Sequence, residues 1–315
     1  MARKCAYLFP GQGSQYVGMG QDLAEHHPVA RDTFAQADDT LGILLSKLCF
    51  EGPAEALDDT VNTQPAILAT SVAALRVFRR GGLRAPIYVA GHSMGEFSAL
   101  VASGALSYEG GLKLVRERGR LMKEAGERSP GGMAAVLGLD REALEEVCSE
   151  VGERSGTYVG VANDNCPGQI VMSGGLPALE QAMEAARRRG AKRVIRLAVS
   201  IAAHSPLMAE AAEMFEVRLN ETPLAEPEVP VVVNAAARPL TDPRAIREAL
   251  CRQLTSPVRW TESVTWMLDQ RVRSFVEVGP KKVLSNLLRR IDRSAEALST
   301  TDVLASFDTD AAPTR

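Results

Sequence analysis

Ser93 lies in Gly91-His92-Ser93-Met94-Gly95, a G-x-S-x-G pattern. It is set between a short apolar run, Ile87-Tyr88-Val89-Ala90, and a segment with helical apolar spacing at Phe97, Leu100 and Val101. A serine on a sharp strand-to-helix turn exposes its hydroxyl, and the next backbone N–H faces the point where an oxyanion develops. The start of the helix adds partial positive charge there. The chemistry implied is acyl transfer through a covalent serine intermediate. The same five residues also occur by chance as a glycine-rich turn without chemistry. The strand before and the helix after raise this one above chance.

A serine nucleophile needs a base, and the chain holds four histidines. His92 adjoins the serine, and neighbouring side chains on such a turn diverge. His26-His27 precede Pro28 in a polar stretch and read as the end of an exposed helix. His204 remains, in Ile201-Ala202-Ala203-His204-Ser205-Pro206, at a junction after a strand, where such folds place catalytic groups. Without chemistry it would be a helix-start residue before Pro206.

One arginine stands out by its neighbours. In the helical stretch from about Tyr108 to Ala125, the positions three and four away from Arg118 are Leu114, Val115, Leu121 and Met122, all apolar. Arg116 and Arg120 have polar neighbours and read as solvated. A guanidinium in an apolar stripe must be paired, by an internal acceptor or by a carboxylate on a substrate. Two basic clusters, Arg187-Arg188-Arg189 with Lys192-Arg193, and Lys281-Lys282 with Arg289-Arg290, suit either an acidic partner or a CoA phosphate, or are solvated helix ends.

These residues need a scaffold. Cys5 to Phe9 reads as a buried strand ending in the turn-rich Pro10-Gly11-Gln12-Gly13-Ser14-Gln15. Helical spacing follows to about residue 80, then the second strand and the serine turn. Strands separated by helices point to an α/β core with a parallel sheet. Residues 131–199 read differently: strand 133–139, helix 141–151, strands 158–162 and 169–173, helix 176–189, strand 192–199. That is the β-α-β-β-α-β order of a ferredoxin-like unit. The expected division is a large α/β-hydrolase-like body over 1–129 and 200–293, an inserted subdomain over 130–199, and a flexible C-terminal tail over 294–315.

Composition excludes several functions. With 315 residues, 45% hydrophobic and 24% charged, the chain is globular rather than disordered. A net charge of -3 and 5% aromatics speak against a nucleic-acid binder. No run reaches the ~20 apolar residues of a membrane span, and the N-terminus lacks the long apolar stretch of a secretion signal. The five cysteines are scattered without disulfide or metal spacing. A cytoplasmic protein without a metal is expected.

Several motifs occur together and in order: Pro10 to Gln15, Gly91-His92-Ser93-Met94-Gly95-Glu96, Arg118-Gly119, Asn163 to Ser173, His204-Ser205-Pro206-Leu207-Met208, and Glu277-Val278-Gly279-Pro280. Over about residues 4–290 the chain resembles malonyl-CoA:acyl carrier protein transacylases, including discrete acyltransferases of polyketide synthases. The resemblance implies a role for each matching position. Ser93 would be the acylated nucleophile and His204 its general base and acid. The backbone carbonyl of Gln253 would orient His204, in place of an acidic third member. The backbone N–H groups of Gln12 and Met94 would form the oxyanion hole. Arg118 would hold the free carboxylate of a malonyl group. It implies a ping-pong [acyl-carrier-protein] S-malonyltransferase in fatty acid or polyketide biosynthesis. Malonyl-CoA and an acyl carrier protein would be its partners, with CoA thioester as substrate, no bound cofactor, and a monomer as the default. In one respect the chain departs from the family: many malonyl-selective polyketide members carry Phe before the histidine-serine pair, where this chain has Ala202-Ala203. Those two positions are therefore expected to shape acyl selectivity, and a branched extender such as methylmalonyl is the alternative substrate. The competing functions are an acyl-carrier-protein hydrolase or esterase on the same dyad, and a non-catalytic carrier-protein-binding module.

Overall fold

The computed structural model describes residues 4–310. Eleven strands are found among them: β1 (Lys4–Phe9), β2 (Tyr88–Gly91), β3 (Gly131–Leu137), β4 (Val159–Cys166), β5 (Gln169–Gly175), β6 (Arg193–Arg196), β7 (Val231–Val233), β8 (Arg238–Leu240), β9 (Val258–Arg259), β10 (Val272–Glu277) and β11 (Glu296–Ser299). They form two sheets. The larger has the order β11-β10-β1-β2-β7-β8 and is parallel except for the β7–β8 hairpin. The smaller has the order β6-β3-β5-β4-β9.

Parallel strands covered by helices on both faces read as continuous apolar runs rather than alternating ones. β1 does so: every residue from Cys5 to Phe9 is buried. The helix Thr60–Arg80 is buried over most of its length and packs beside the helix Tyr108–Arg128 on one face of this sheet. The expected α/β body with its βαββαβ insert is thus present. The smaller sheet runs β3, helix Arg141–Ser155, β4, β5, helix Leu176–Arg188, β6. It also recruits β9 from later in the chain, which pairs with β4 at Asn163↔Val258 and Asp164↔Arg259. A short segment from the later part of the chain is therefore paired into the edge of the smaller sheet.

Phe9 at the end of β1 pairs with Gly91 at the end of β2, and β2 neighbours β7. The loops after these three strands, which carry Gln12, Ser93 and Asn234, consequently emerge side by side at the carboxyl edge of the sheet. This is where open parallel sheets place their ligands.

Two segments differ from expectation. The strand expected over 192–199 ends at Arg196; the Leu197 N–H still donates to the Met133 carbonyl of β3 at 2.9 Å, and the chain then leaves the sheet, with Leu197, Ala198, Val199 and Ile201 lining a cavity instead. The tail expected to be flexible from residue 294 is structured through residue 310. β11 adds a parallel edge strand to β10, and a helix follows over Thr300–Asp310. Few but well-placed contacts hold it. Val303 is buried, the Phe307 ring packs edge-on against Phe78 at 6.2 Å, and Asp302 accepts from the Ser299 N–H and hydroxyl. Thr300 Oγ1 accepts the Gly279 N–H. Small polar residues made this segment look like a tail; here they cap a helix. Residues 311–315 of the expected tail lie outside the described residues.

No helix among the described residues is long and apolar enough to cross a membrane, and no cluster of three or more metal-binding side chains is present among them.

Candidate active site

Ser93 sits at the end of β2, with φ +51°, immediately before the helix Gly95–Ala102. A non-glycine residue held in the left-handed region costs roughly 1–3 kcal/mol and persists only where its surroundings enforce it. They do so here. A Cβ on Gly91 would lie 1.9 Å from the Gly95 carbonyl carbon, and one on Gly95 would lie 2.1 Å from Phe9 O. The turn is so tight against β1 that only glycine fits on either side of the His-Ser-Met triplet. Both backbone groups of Ser93 are held by side chains from distant segments. Its N–H donates to Asn234 Oδ1 at 2.7 Å, and its carbonyl accepts from Gln253 Nε2 at 3.0 Å. With the Ser93 N–H already engaged, the next one, on Met94, is the donor at the helix start.

Ser93 Oγ lies 2.8 Å from His204 Nε2. His204 Nδ1 donates to the Gln253 carbonyl at 2.9 Å and lies 3.2 Å from the Ser256 carbonyl. With Nδ1–H facing carbonyl oxygens, which only accept, neutral His204 presents the Nε2 lone pair to the serine hydroxyl. No carboxylate takes the third position. His204 is buried and also has a positive φ, +59°. Burial, and second the Arg118 charge, push its pKa down to about 3, so it is neutral and able to accept a proton at physiological pH.

Arg118 is 1% exposed and reaches the same point. Its Nη2 donates to Ser93 Oγ at 3.1 Å and to Gln253 Oε1 at 3.1 Å, and its Nη1 to Gln64 Oε1 at 2.9 Å. Its Nε has no hydrogen-bond acceptor. Every direct acceptor is neutral, and Glu96 is the charge that counters it at longer range. The helix carrying Arg118 approaches the helix Thr60–Arg80 closely because the next residue is glycine: a Cβ on Gly119 would lie 2.5 Å from Thr60 O. Thr60 then links the chain of amides, accepting from Gln64 Nε2 and donating to Gln12 Oε1.

These groups face a cavity of about 400 Å³ between the two sheets. Gln12, Ser93, Met94, Arg118 and His204 line its polar end. Met122, Met133, Val171, Leu197, Val199 and Ile201 form its apolar wall, Gln15, Asp58, His92, Asn163 and Asn165 add polar side chains, and Ala203 also reaches it. Ala202, paired with Ala203 in the sequence-based expectation, is fully buried and packs against Gly131 instead of lining the cavity. Gln253 stands behind the cavity wall, holding His204 and Arg118 from the rear.

His92, set aside as a base, points to the smaller sheet. Its Nε2 lies 2.8 Å from Asn165 Oδ1 and its ring packs against Trp260 at 5.5 Å. Burial lowers its pKa, which keeps it neutral. His26 ends an exposed helix as expected. Arg120 forms surface ion pairs with Glu117 and Glu124, while Arg116 donates to the Leu41 carbonyl. Much of the basic clusters is already engaged: Arg189 with Glu146, Lys282 with Asp302, Arg290 with Gln169 and the Pro167 carbonyl, and Lys281 with the Gly13 carbonyl.

Sequence reasoning missed Asn234, Gln64 and the buried carboxylate Glu96. Glu96 stood inside a recognised motif, one residue past the serine turn. Asn234 ends a short apolar strand, the position at which parallel sheets place functional groups. Gln64 carries no sequence signal beyond being an amide in an apolar helix.

The family model for the acyl transferase domain matches residues 6–313. The malonyl CoA-acyl carrier protein transacylase of Bacillus subtilis (strain 168) is 47% identical over 299 residues, 95% of this chain and 94% of that protein. The solved structure of the malonyl CoA-acyl carrier protein transacylase from Coxiella burnetii superposes with a TM-score of 0.94 at 38% identity, covering 97% of each chain. A malonyl-transacylase solved in complex with its type II PKS acyl-carrier protein superposes with a TM-score of 0.93 at 42% identity, covering 97% of this chain and 99% of that one.

Proposed function

This chain belongs to the acyl transferase domain family, and on that premise we propose that it moves a malonyl group from CoA to the phosphopantetheine thiol of an acyl carrier protein, by way of an acyl-Ser93 intermediate. The observation that carries the reading is a buried cation, Arg118, fixed 3.1 Å from the nucleophilic oxygen and hydrogen-bonded to neutral acceptors throughout. Such a group selects acyl chains that end in a carboxylate. In malonate that carboxylate lies one methylene from the reacting carbonyl.

His204 Nε2 takes the Ser93 proton as Oγ attacks the thioester carbonyl carbon. The oxyanion forms against the N–H groups of Gln12 and Met94. Collapse breaks the C–S bond, and His204 returns the proton to the departing CoA thiolate. The second half runs in reverse, with the carrier thiol attacking acyl-Ser93 and its proton passing through His204 to Ser93 Oγ. This chemistry draws on no bound cofactor. The Gln253 carbonyl orients the imidazole but carries no charge to stabilise the imidazolium. Burial holds the His204 pKa down and the Arg118 charge lowers it further; a malonyl carboxylate on Arg118 offsets that second contribution, and so helps His204 accept the proton.

Fatty acid and polyketide synthesis both use this transfer, and the reading covers either. All five cysteines are free, which suits a reducing compartment such as the cytoplasm. A monomer is the proposed state.

The test is intact mass after mixing with malonyl-CoA. The parent is expected to gain one malonyl group and to lose it to added holo-carrier protein, and Ser93→Ala is expected to gain none. No adduct from any acyl-CoA refutes the reading.

A further inference from the structure

Glu96 is a fully buried carboxylate one helical turn behind the nucleophile, and it does not line the cavity. Burying a carboxylate is costly unless its hydrogen bonds are made, so its partners indicate its purpose. A single oxygen, Oε2, accepts twice: from the Asn234 backbone N–H at 3.0 Å and from Gln253 Nε2 at 3.0 Å. These two residues also grip Ser93. Asn234 Oδ1 accepts the Ser93 N–H, and Asn234 Nδ2 donates to the Gly91 carbonyl at 2.6 Å. Gln253 Nε2 donates its other proton to the Ser93 carbonyl. Both amide protons of Gln253 are then used, so its Oε1 faces Arg118 while its backbone carbonyl holds His204.

We infer that Glu96 is the positioning residue of the site: its carboxylate holds Asn234 and Gln253 in the one arrangement that keeps Ser93 in its left-handed conformation and aligns His204 and Arg118 with it. This rests on the reading of Ser93 as the acylated residue. Three functional groups carried on separate segments depend on one oxygen atom that touches no substrate. A carboxyl group suits the task because the oxygen that receives both donors only accepts: Oε2 keeps its lone pairs whether the group is ionised or carries its proton on Oε1. Its place in the first turn of the helix Gly95–Ala102 and its proximity to Arg118 offset part of the cost of burying it.

The consequence is unequal for different acyl groups. Loss of the Glu96 acceptor loosens the Ser93 clamp, which slows every reaction of Ser93. It also frees the Gln253 amide, which unseats Arg118, and that slows only acyl groups bearing a carboxylate. The experiment compares Glu96→Ala and Glu96→Gln by three readouts: acylation by malonyl-CoA, acylation by acetyl-CoA, and labelling of Ser93 by a fluorophosphonate. At about tenfold per 1.4 kcal/mol and roughly 1.5–3 kcal/mol per bond to a charged acceptor, E96A should lose about tenfold in phosphonate labelling and acetyl transfer and about 100-fold or more in malonyl transfer. E96Q, whose amide oxygen can accept both bonds, should recover most of that loss. Should E96A fold poorly, Gln253→Ala keeps the backbone carbonyl on His204 and is expected to show the same malonyl-selective defect.

Unchanged rates in E96A overturn the assignment. So does an equal loss for malonyl and acetyl groups, or an E96Q as impaired as E96A. If the parent takes no malonyl group but its phosphonate labelling slows in E96A and recovers in E96Q, the function reading fails while the positioning role stands.

Discussion

Replacing Arg118 by alanine tests the proposed source of acyl selectivity. In the parent, the guanidinium makes three hydrogen bonds to neutral acceptors: Gln64 Oε1, Gln253 Oε1 and Ser93 Oγ. A malonyl carboxylate entering the cavity would take the face of the fork nearest Ser93 and supply the missing negative charge. In Arg118→Ala the same carboxylate would be buried among Met122, Met133 and Val171 with no cation to meet it. Removing one partner of a buried, hydrogen-bonded charge pair costs roughly 2–5 kcal/mol. At about 1.4 kcal/mol per tenfold, malonyl acylation should fall about 30- to 4,000-fold. An acetyl group has no carboxylate to strand, so its transfer should fall far less. It loses only the Arg118 bond to Ser93 Oγ, and it escapes the charge that adds to burial in lowering the His204 pKa. The assay is rapid quench followed by intact mass, run with malonyl-CoA and acetyl-CoA at saturating and sub-saturating concentrations. Equal losses for the two donors refute the carboxylate role, whatever their size. Arg118→Lys should rescue only in part, because a point charge cannot reproduce the planar fork that bridges Gln64 and Gln253.

Three further predictions concern packing and proton linkage. Gly119→Ala places a Cβ 2.5 Å from Thr60 O and pushes the helix bearing Arg118 off its neighbour; malonyl acylation should fall more than acetyl acylation, and equal rates in parent and variant refute the close-packing argument. His204 has its pKa pushed down to about 3 from 6.5, so unfolding lets it bind a proton anywhere between those values. Its contribution to stability is present above pH 6.5 and lost as the pH falls from there toward 3. His204→Gln should therefore show a shallower fall in Tm from pH 6.5 to 4 than the parent, and identical slopes refute a neutral buried His204. Glu96 has the opposite sign: burial pushes its pKa up to about 7 from 4.5, so its contribution is lost as the pH rises across that window, and Glu96→Gln should flatten that limb.

How much of this was readable beforehand depended on whether a residue's role is local. The serine turn is local: strand, glycines and helix are consecutive, so Ser93 and the Met94 N–H could be placed from the chain alone. Arg118 was found as an exception to helical periodicity, which is also local. Its partners were open, because periodicity says that a charge faces the core but not what meets it there. The sequence gives no sign that the Ser93 clamp exists, since it joins residues 141 and 160 positions away. Gln253 was placed only by resemblance, and then only for its carbonyl; its side chain does as much. The tail was misread because a short edge strand and a helix held by Ser299, Asp302 and Phe307 have the composition of a loop. The strand expected to run to Val199 failed for a different reason. Apolar residues there face the cavity rather than a sheet, and a run of apolar residues does not say which surface it will cover.

The site also explains how a serine–histidine pair can work without an acidic partner. A carboxylate behind His204 would stabilise the imidazolium permanently, and the serine would be equally ready for any ester or thioester that entered. Here a neutral carbonyl holds the ring, and the nearest charge, Arg118, opposes its protonation. The carboxylate that is present, Glu96, is spent on holding the amides that align the dyad, on the far side of the cavity wall. On the proposed function, the charge missing from the dyad arrives with the substrate. A malonyl carboxylate already balances Arg118 when the imidazolium forms, and its attraction to that new charge is stronger in the transition state than in the bound ground state. Selectivity built this way belongs to the chemical step more than to binding. Malonyl-CoA and acetyl-CoA should then differ more in the maximal rate of acylation than in the concentration that half-saturates it. A difference confined to half-saturation, with equal maximal rates, would show that Arg118 only binds the carboxylate and that the dyad gains nothing from its arrival.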